Sequence, residues 1–308
     1  MRNAFVDTLC DLALKDKNIY LMAGDVGFGV LNKFLEANPE QFINAGIAEQ
    51  NMTAVAAGMA LEDKIVFTYS ITNFATLRCL EHIRNCIAYH DANVKIVSIG
   101  AGFAYGAMGT THHGTEDLSI MRAIPNMIVF SPADPYEAVA VTLTSYNTKK
   151  PCYIRLGRGR EPQIHQQPIK DYKIGKAIKI IDGSDVAIFS TGAISFEALN
   201  AAKKLNEMGI STAFYTFPTV KPLDIDIIEK YSKQCKLVVS VEENNIIGGL
   251  GSAIAEVISG ISGCNALLKR VGIPDELTSI VGNQDYLRNH YNITSENILE
   301  IVKNEVSN

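Results

Sequence analysis

The chain has 308 residues, enough for about two domains at the usual domain size. Its 47% hydrophobic content can fill globular cores, and a net charge of −5 without long runs of one sign argues against nucleic acid or an anionic membrane as partner. No run approaches the roughly 20 apolar residues of a membrane span, and Asp7 interrupts the start where a signal peptide needs an apolar stretch, so a cytoplasmic protein is expected.

The first half alternates helical patterns with short apolar runs. Helix is expected over Asn3 to Lys15 and strand over Ile19 to Ala23 and Phe42 to Asn44. Then come a helix from Glu49 to Leu61, a strand from Ile65 to Thr68, a helix from Asn73 to His90 and a strand from Val94 to Ile99. Helix Asp117 to Arg122, strand Met127 to Phe130, helix Pro135 to Tyr146 and strand Tyr153 to Leu156 complete this unit. Such alternation implies a mainly parallel sheet covered by helices on both faces.

Beyond Gly157 the texture turns polar and aperiodic as far as Tyr172, which reads as linker. A second alternating unit follows: strands Val186 to Ser190, Thr212 to Thr216, Leu237 to Val241 and Leu267 to Val271. Its helices are Ser195 to Met208, Asp224 to Tyr231, Ser252 to Ser259 and Thr294 to Asn304. The expected division is therefore a first α/β domain over 1–160, a linker over 161–184 and a second α/β domain over 185–308. Gly248-Gly249-Leu250-Gly251 enters a helix. It could cradle a phosphate, though tight strand-to-helix packing explains it better. The six cysteines show no C-x-x-C or other zinc-like spacing and read as small core residues.

The chemistry-bearing residues sit in four ordered segments. They are Gly24-Asp25-Val26, Gly46-Ile47-Ala48-Glu49-Gln50-Asn51-Met52, Phe74 to Asn85, and Gly106 to Asp117 with the following Met121-Arg122-Ala123-Ile124-Pro125-Asn126-Met127. Ser190-Thr191-Gly192 and Val241-Glu242-Glu243 continue the pattern. Taken singly, Glu49 is an acid in a helix first turn, Phe74 a core aromatic and Asp25 a turn residue. Adjacent His112 and His113 invite a metal reading, but no third ligand recurs at suitable spacing, so no metal site is expected within the chain.

Together the segments resemble the transketolase and deoxyxylulose-phosphate-synthase branch of the thiamin-diphosphate enzymes, over nearly the whole chain. The resemblance implies a pyrimidine-binding domain followed by a transketolase C-terminal domain. It implies that Glu49 bonds a ring nitrogen of the cofactor's aminopyrimidine and favours the tautomer whose exocyclic nitrogen serves as base. A carboxyl suits this because burial favours its neutral form. By the same resemblance Phe74 stacks on the pyrimidine, and Asp25 and Val26 approach the cofactor. His112 meets the substrate as a proton shuttle or alkoxide stabiliser, and Arg155 and Arg158, with Arg160 nearby, hold substrate.

The Gly-Asp-Gly…Asn element that holds diphosphate and Mg²⁺ in full-length relatives is not matched. Gly24-Asp25-Val26 with Asn51 lacks the second glycine. The expected function is thus the C-terminal subunit of a two-component transketolase-like enzyme, moving a two-carbon ketol unit from a ketose to an aldehyde. An N-terminal partner subunit would hold the diphosphate and Mg²⁺, with two copies of each chain. The rivals are a 2-oxo-acid dehydrogenase E1 β-like or deoxyxylulose-phosphate-synthase-like carboligase subunit, and a non-catalytic scaffold. Gly100 and Met108 stand where transketolases carry histidine and a sugar-binding aspartate, and Leu77 and Ala101 where the synthases carry arginines. That points to a modified sugar acceptor.

Overall fold

The computed structural model describes residues 1–306. Its strands are β1 Ile19–Ala23, β2 Phe42–Asn44, β3 Ile65–Ile71, β4 Val94–Ile99, β5 Ile128–Phe130 and β6 Cys152–Leu156, then β7 Ile178–Ile181, β8 Val186–Ser190, β9 Thr212–Thr216, β10 Thr219–Lys221, β11 Leu237–Asn245 and β12 Leu267–Ile273. The first sheet runs β10-β5-β6-β4-β3-β1-β2 and the second β12-β11-β8-β9-β7. Among the described residues, only β10 and β7 are antiparallel to their neighbours. Two mainly parallel sheets with covering helices match the expected fold class. The buried strands β4, β6 and β8 are near-continuous apolar runs because helices cover both faces.

Two strands lie where the sequence suggested none. β7 falls inside the 161–184 span read as linker, and β10, from the second half, pairs with β5 as an edge of the first sheet. The halves also share a core: Ala187, Phe189 and Phe217 pack in one cluster with Met22, Val94 and Met121. The expected helix over 73–90 is broken. A turn of α-helix (Thr72–Ala75) gives way to a 3₁₀ turn (Leu77–Cys79), a short helix (Leu80–His82) and a π-turn (Ile83–Ala88). Such tightened and loosened turns recur at functional sites.

The helix Glu49–Leu61 follows β2 and lies against β3. Its inward face carries Thr53, Ala56 and Ala57, small enough to bring its N-terminus close to the strand ends. No helix is long and apolar enough to cross a membrane among the described residues.

Candidate active site

In the first sheet, β2 lies to one side of β1 and β3 to the other. The chain therefore changes direction at β1, and the carboxyl ends of β1 and β3 open a crevice of the kind in which parallel α/β sheets bind ligands. Glu49 stands there. It is 1% exposed, although it opens its helix. Ser70, near the end of β3, donates its hydroxyl to Glu49 Oε1 at 3.0 Å, and Arg78 Nη1 donates to Oε2 at 2.7 Å. Gly24, just past β1, closes the other side. A Cβ there would lie 3.1 Å from Glu49 Cγ and 3.2 Å from Ser70 Oγ, so glycine keeps this wall flat.

From Glu49 a line of contacts runs outward. The Arg78 guanidinium lies over the Phe74 ring, 4.4 Å from its centroid. Phe74 meets His112 edge to face at 5.2 Å. Tyr105 lies 6.4 Å from His112, and the Arg158 guanidinium sits 5.1 Å above Tyr105. Asn73 ties this line together by donating to the carbonyls of Thr110 and Thr111 at 3.2 and 3.1 Å. Thr111 Oγ1 and His112 Nδ1 are 2.9 Å apart. His113 points elsewhere: it is buried, with Nε2 3.1 Å from the Gly106 carbonyl. Among the described residues no group of three or more His, Cys, Asp or Glu could hold a metal ion.

Glu49, Phe74, His112 and Arg158 thus join one chain of contacts, bridged by Arg78 and Tyr105. Asp25 and Val26 lie beside it on the loop after β1. Asp25 takes a positive φ of 53° and accepts from Asn44 Nδ2 at 2.9 Å. With Val26 and Phe28 it borders an apolar depression reaching Leu31 and Phe42.

Arg155 departs from the sequence reading as a substrate ligand. It is 2% exposed, and its Nε and Nη2 bond Asp117 Oδ2 and Oδ1 at 2.8 and 3.1 Å. Nη2 also donates to the carbonyls of Gly114 at 2.7 Å and Glu243 at 2.9 Å. The guanidinium therefore joins β6, the loop below His112 and β11 of the second sheet. Tyr153 donates to the same Asp117 at 2.5 Å, and burial pushes its hydroxyl well above the ordinary range. Arg158 and Arg160 are exposed and border a cavity of 690 Å³ with Arg2 and Asn3.

Gly248 to Gly251 hold no phosphate cradle. Glu242, fully buried, accepts from the amides of Leu250 and Gly251 at 2.8 Å each and fills the helix N-terminus. A Cβ on Gly249 would collide with Glu242 Oε2, which is why glycine stands there. Burial still pushes the Glu242 carboxyl up to about 7 against those two amides. Glu243 is also structural, accepting from Phe103 N at 2.7 Å and Arg288 Nε at 2.7 Å. Gly100 has φ +95°, and a side chain there would run into the Tyr105 ring.

Arg78, Ser70 and Tyr105 escaped the sequence reading. Arg78 follows Phe74 by four residues, which would put the two on one face of a helix, but an arginine in a helical stretch has no distinctive signature.

Residues 1–162 match the transketolase pyrimidine-binding domain and residues 175–298 the transketolase C-terminal domain. The chain is 41% identical over 309 residues to a putative transketolase C-terminal section of Methanocaldococcus jannaschii, covering 99% of this chain and 96% of that protein. It is 34% identical to an apulose-4-phosphate transketolase subunit of Phocaeicola vulgatus, covering 98% and 97% of the two. A solved split-gene transketolase, an inactive β4 tetramer, superimposes with a TM-score of 0.89 at 34% identity over 99% of this chain and 97% of its own.

Proposed function

The chain belongs to the transketolase family as a C-terminal subunit, and we propose that it supplies the aminopyrimidine half of a thiamin-diphosphate site to a two-chain enzyme. The reaction is transfer of a two-carbon ketol unit from a ketose to an aldehyde. The observation that carries this reading is Glu49: a carboxylate, 1% exposed, at the switch point of a parallel sheet and joined through Arg78 to the Phe74 ring.

The residues fit the group. The Arg78 guanidinium, itself a flat donor, already engages both the carboxylate and the Phe74 face. Gly24 leaves room where a side chain would intrude. When bound, thiamin diphosphate supplies a carbon nucleophile at its thiazolium C2. Glu49 holds a proton against the pyrimidine ring nitrogen, and Ser70 fixes its second oxygen. Phe74 supports the ring face. His112, with Nδ1 beside Thr111, keeps Nε2 for a substrate oxygen and moves a proton there. Arg158, rather than Arg155, is the arginine for the outer end of the substrate. Asp25 and Val26 border the cofactor from the loop after β1.

A partner subunit completes the site and holds the diphosphate and Mg²⁺, two copies of each chain forming the enzyme. Phe28 and Ile47, 80% and 79% exposed, flank the Asp25 loop and the Glu49 turn and suit such a contact. The Phocaeicola relative is named as one subunit of its transketolase, which supports a two-chain enzyme. All six cysteines are free, as suits the cytoplasm. Calorimetric titration with thiamin diphosphate and Mg²⁺ tests the division of labour. The chain alone should bind weakly and the two-chain complex tightly. Tight binding by the chain alone would contradict it.

A further inference from the structure

Arg78 sits on the two groups that the preceding reading assigns to the aminopyrimidine. Its Nη1 donates to Glu49 Oε2, and its guanidinium covers the Phe74 ring. Glu49 is buried, whereas the Arg78 side chain is 43% exposed, so the guanidinium forms the outer wall over the carboxylate. A guanidinium is a flat, delocalised cation with N–H donors in its plane. An aminopyrimidine likewise presents a flat π-face and in-plane nitrogens. An aminopyrimidine that takes Oε2 and the Phe74 face covered by Arg78 displaces the guanidinium.

We propose that Arg78 is a placeholder for the aminopyrimidine. It occupies Glu49 and Phe74 in the cofactor-free chain and swings into solvent as the cofactor ring enters. The inference rests on the assignment of Glu49 and Phe74 to that ring. Its physical basis is the cost of an unpaired buried carboxylate, which is high. Ser70 serves only one of the two oxygens, so the open site needs a second partner. Arg78 can leave easily. Its guanidinium makes no other protein hydrogen bond among the described residues, and a flexible stem carries it. Its backbone lies on the 3₁₀ turn Leu77–Cys79, whereas Phe74 is held on the preceding α-turn. The pocket is thereby kept ordered and closed until the cofactor replaces one planar donor with another.

Competition of this kind weakens apparent cofactor affinity by the fraction of chains in which the site is open. Arg78→Met keeps most of the stem and deletes the donor. In the two-chain complex its Kd for thiamin diphosphate with Mg²⁺ should fall about tenfold, the factor one charge-assisted hydrogen bond supplies. By stopped flow, the gain should appear in the association rate. Arg78→Lys, which keeps the charge without the planar fork, should lie between the two. An unchanged or weaker Kd in Arg78→Met would overturn the proposal, making Arg78 a permanent wall of the site. Phe74→Ala and Glu49→Gln separate the two levels. If both bind the cofactor with wild-type Kd and rate, the assignment of the site itself has failed. If either perturbs binding while Arg78→Met does not tighten it, only the placeholder fails.

Discussion

Replacing Arg155 by Met distinguishes a structural arginine from a substrate ligand. The side chains of Arg155 and Asp117 are each 1% exposed, and the pair is bidentate. Deleting the guanidinium strands the Asp117 charge with Tyr153 as a remaining donor and leaves the Gly114 and Glu243 carbonyls without this partner. Breaking a buried pair costs about 3–5 kcal/mol, and the two further hydrogen bonds lost to the Gly114 and Glu243 carbonyls place Arg155 at the upper end. For a cooperative unfolding of 308 residues, roughly 4–5 kcal/mol lowers Tm by about 6–8 °C. Differential scanning calorimetry of the wild-type and Arg155→Met chains reads this directly. Adding Asp117→Leu should recover part of the loss, because an apolar pair leaves no buried charge. A Tm within about 2 °C of wild type, with a raised KM for sugar, would refute the structural role and restore Arg155 as a substrate ligand.

Two further predictions concern pH and substrate. Burial pushes the Glu137 carboxyl from 4.5 up to about 7, against opposing contributions from His165, Thr216 Oγ1 and the Ala133 amide. The folded state therefore favours the neutral acid; that stability is complete below about 4.5 and is lost as pH rises through 7. His165, whose charge burial opposes but Asp134 and Glu137 favour, is raised too and acts in the same direction. Glu137→Gln should flatten the fall in stability between pH 5 and 8 by roughly 3 kcal/mol, measured by urea unfolding at each pH; an identical pH profile would contradict this. In the two-chain complex, the exposed Leu77 and Met108, with Gly100 and Ala101, should make ribose 5-phosphate a poor acceptor beside unphosphorylated, deoxy or nucleotide-linked aldehydes. The expected kcat/KM ratio is about tenfold or more, since each lost charge-assisted bond is worth roughly 1.5–3 kcal/mol, and a strong preference for ribose 5-phosphate would defeat the argument.

What the sequence made legible follows from what carries a period. The strands of both sheets announce themselves as apolar runs between turn residues, and the ordered motifs single out Glu49, Phe74 and His112. β10 is three residues long and gains its meaning only by pairing with β5, a contact across 89 positions from Phe130 to Thr219. The 73–90 stretch has a helical pattern, but its 3₁₀ and π turns depend on tertiary packing. Arginines defeat sequence reading most clearly. Arg155 and Arg158 are three residues apart, yet one lies buried on Asp117 and the other is exposed over Tyr105. Gly249 shows the converse: packing is the better reading of its glycine run, and a neighbouring carboxylate leaves no room for a side chain there.

The central claim is that Glu49 acts on the cofactor's pyrimidine and thereby on its C2 proton. The direct measurement is proton–deuterium exchange at C2 of thiamin diphosphate bound to the two-chain complex, for wild type and Glu49→Gln. Gln fills the same space and can hydrogen-bond, but it cannot pass a carboxyl proton. Exchange should slow by orders of magnitude in Glu49→Gln while the complex still assembles and binds cofactor. An exchange rate equal to wild type in the cofactor-loaded variant would contradict the account and return Glu49 to an ordinary place at the head of a helix.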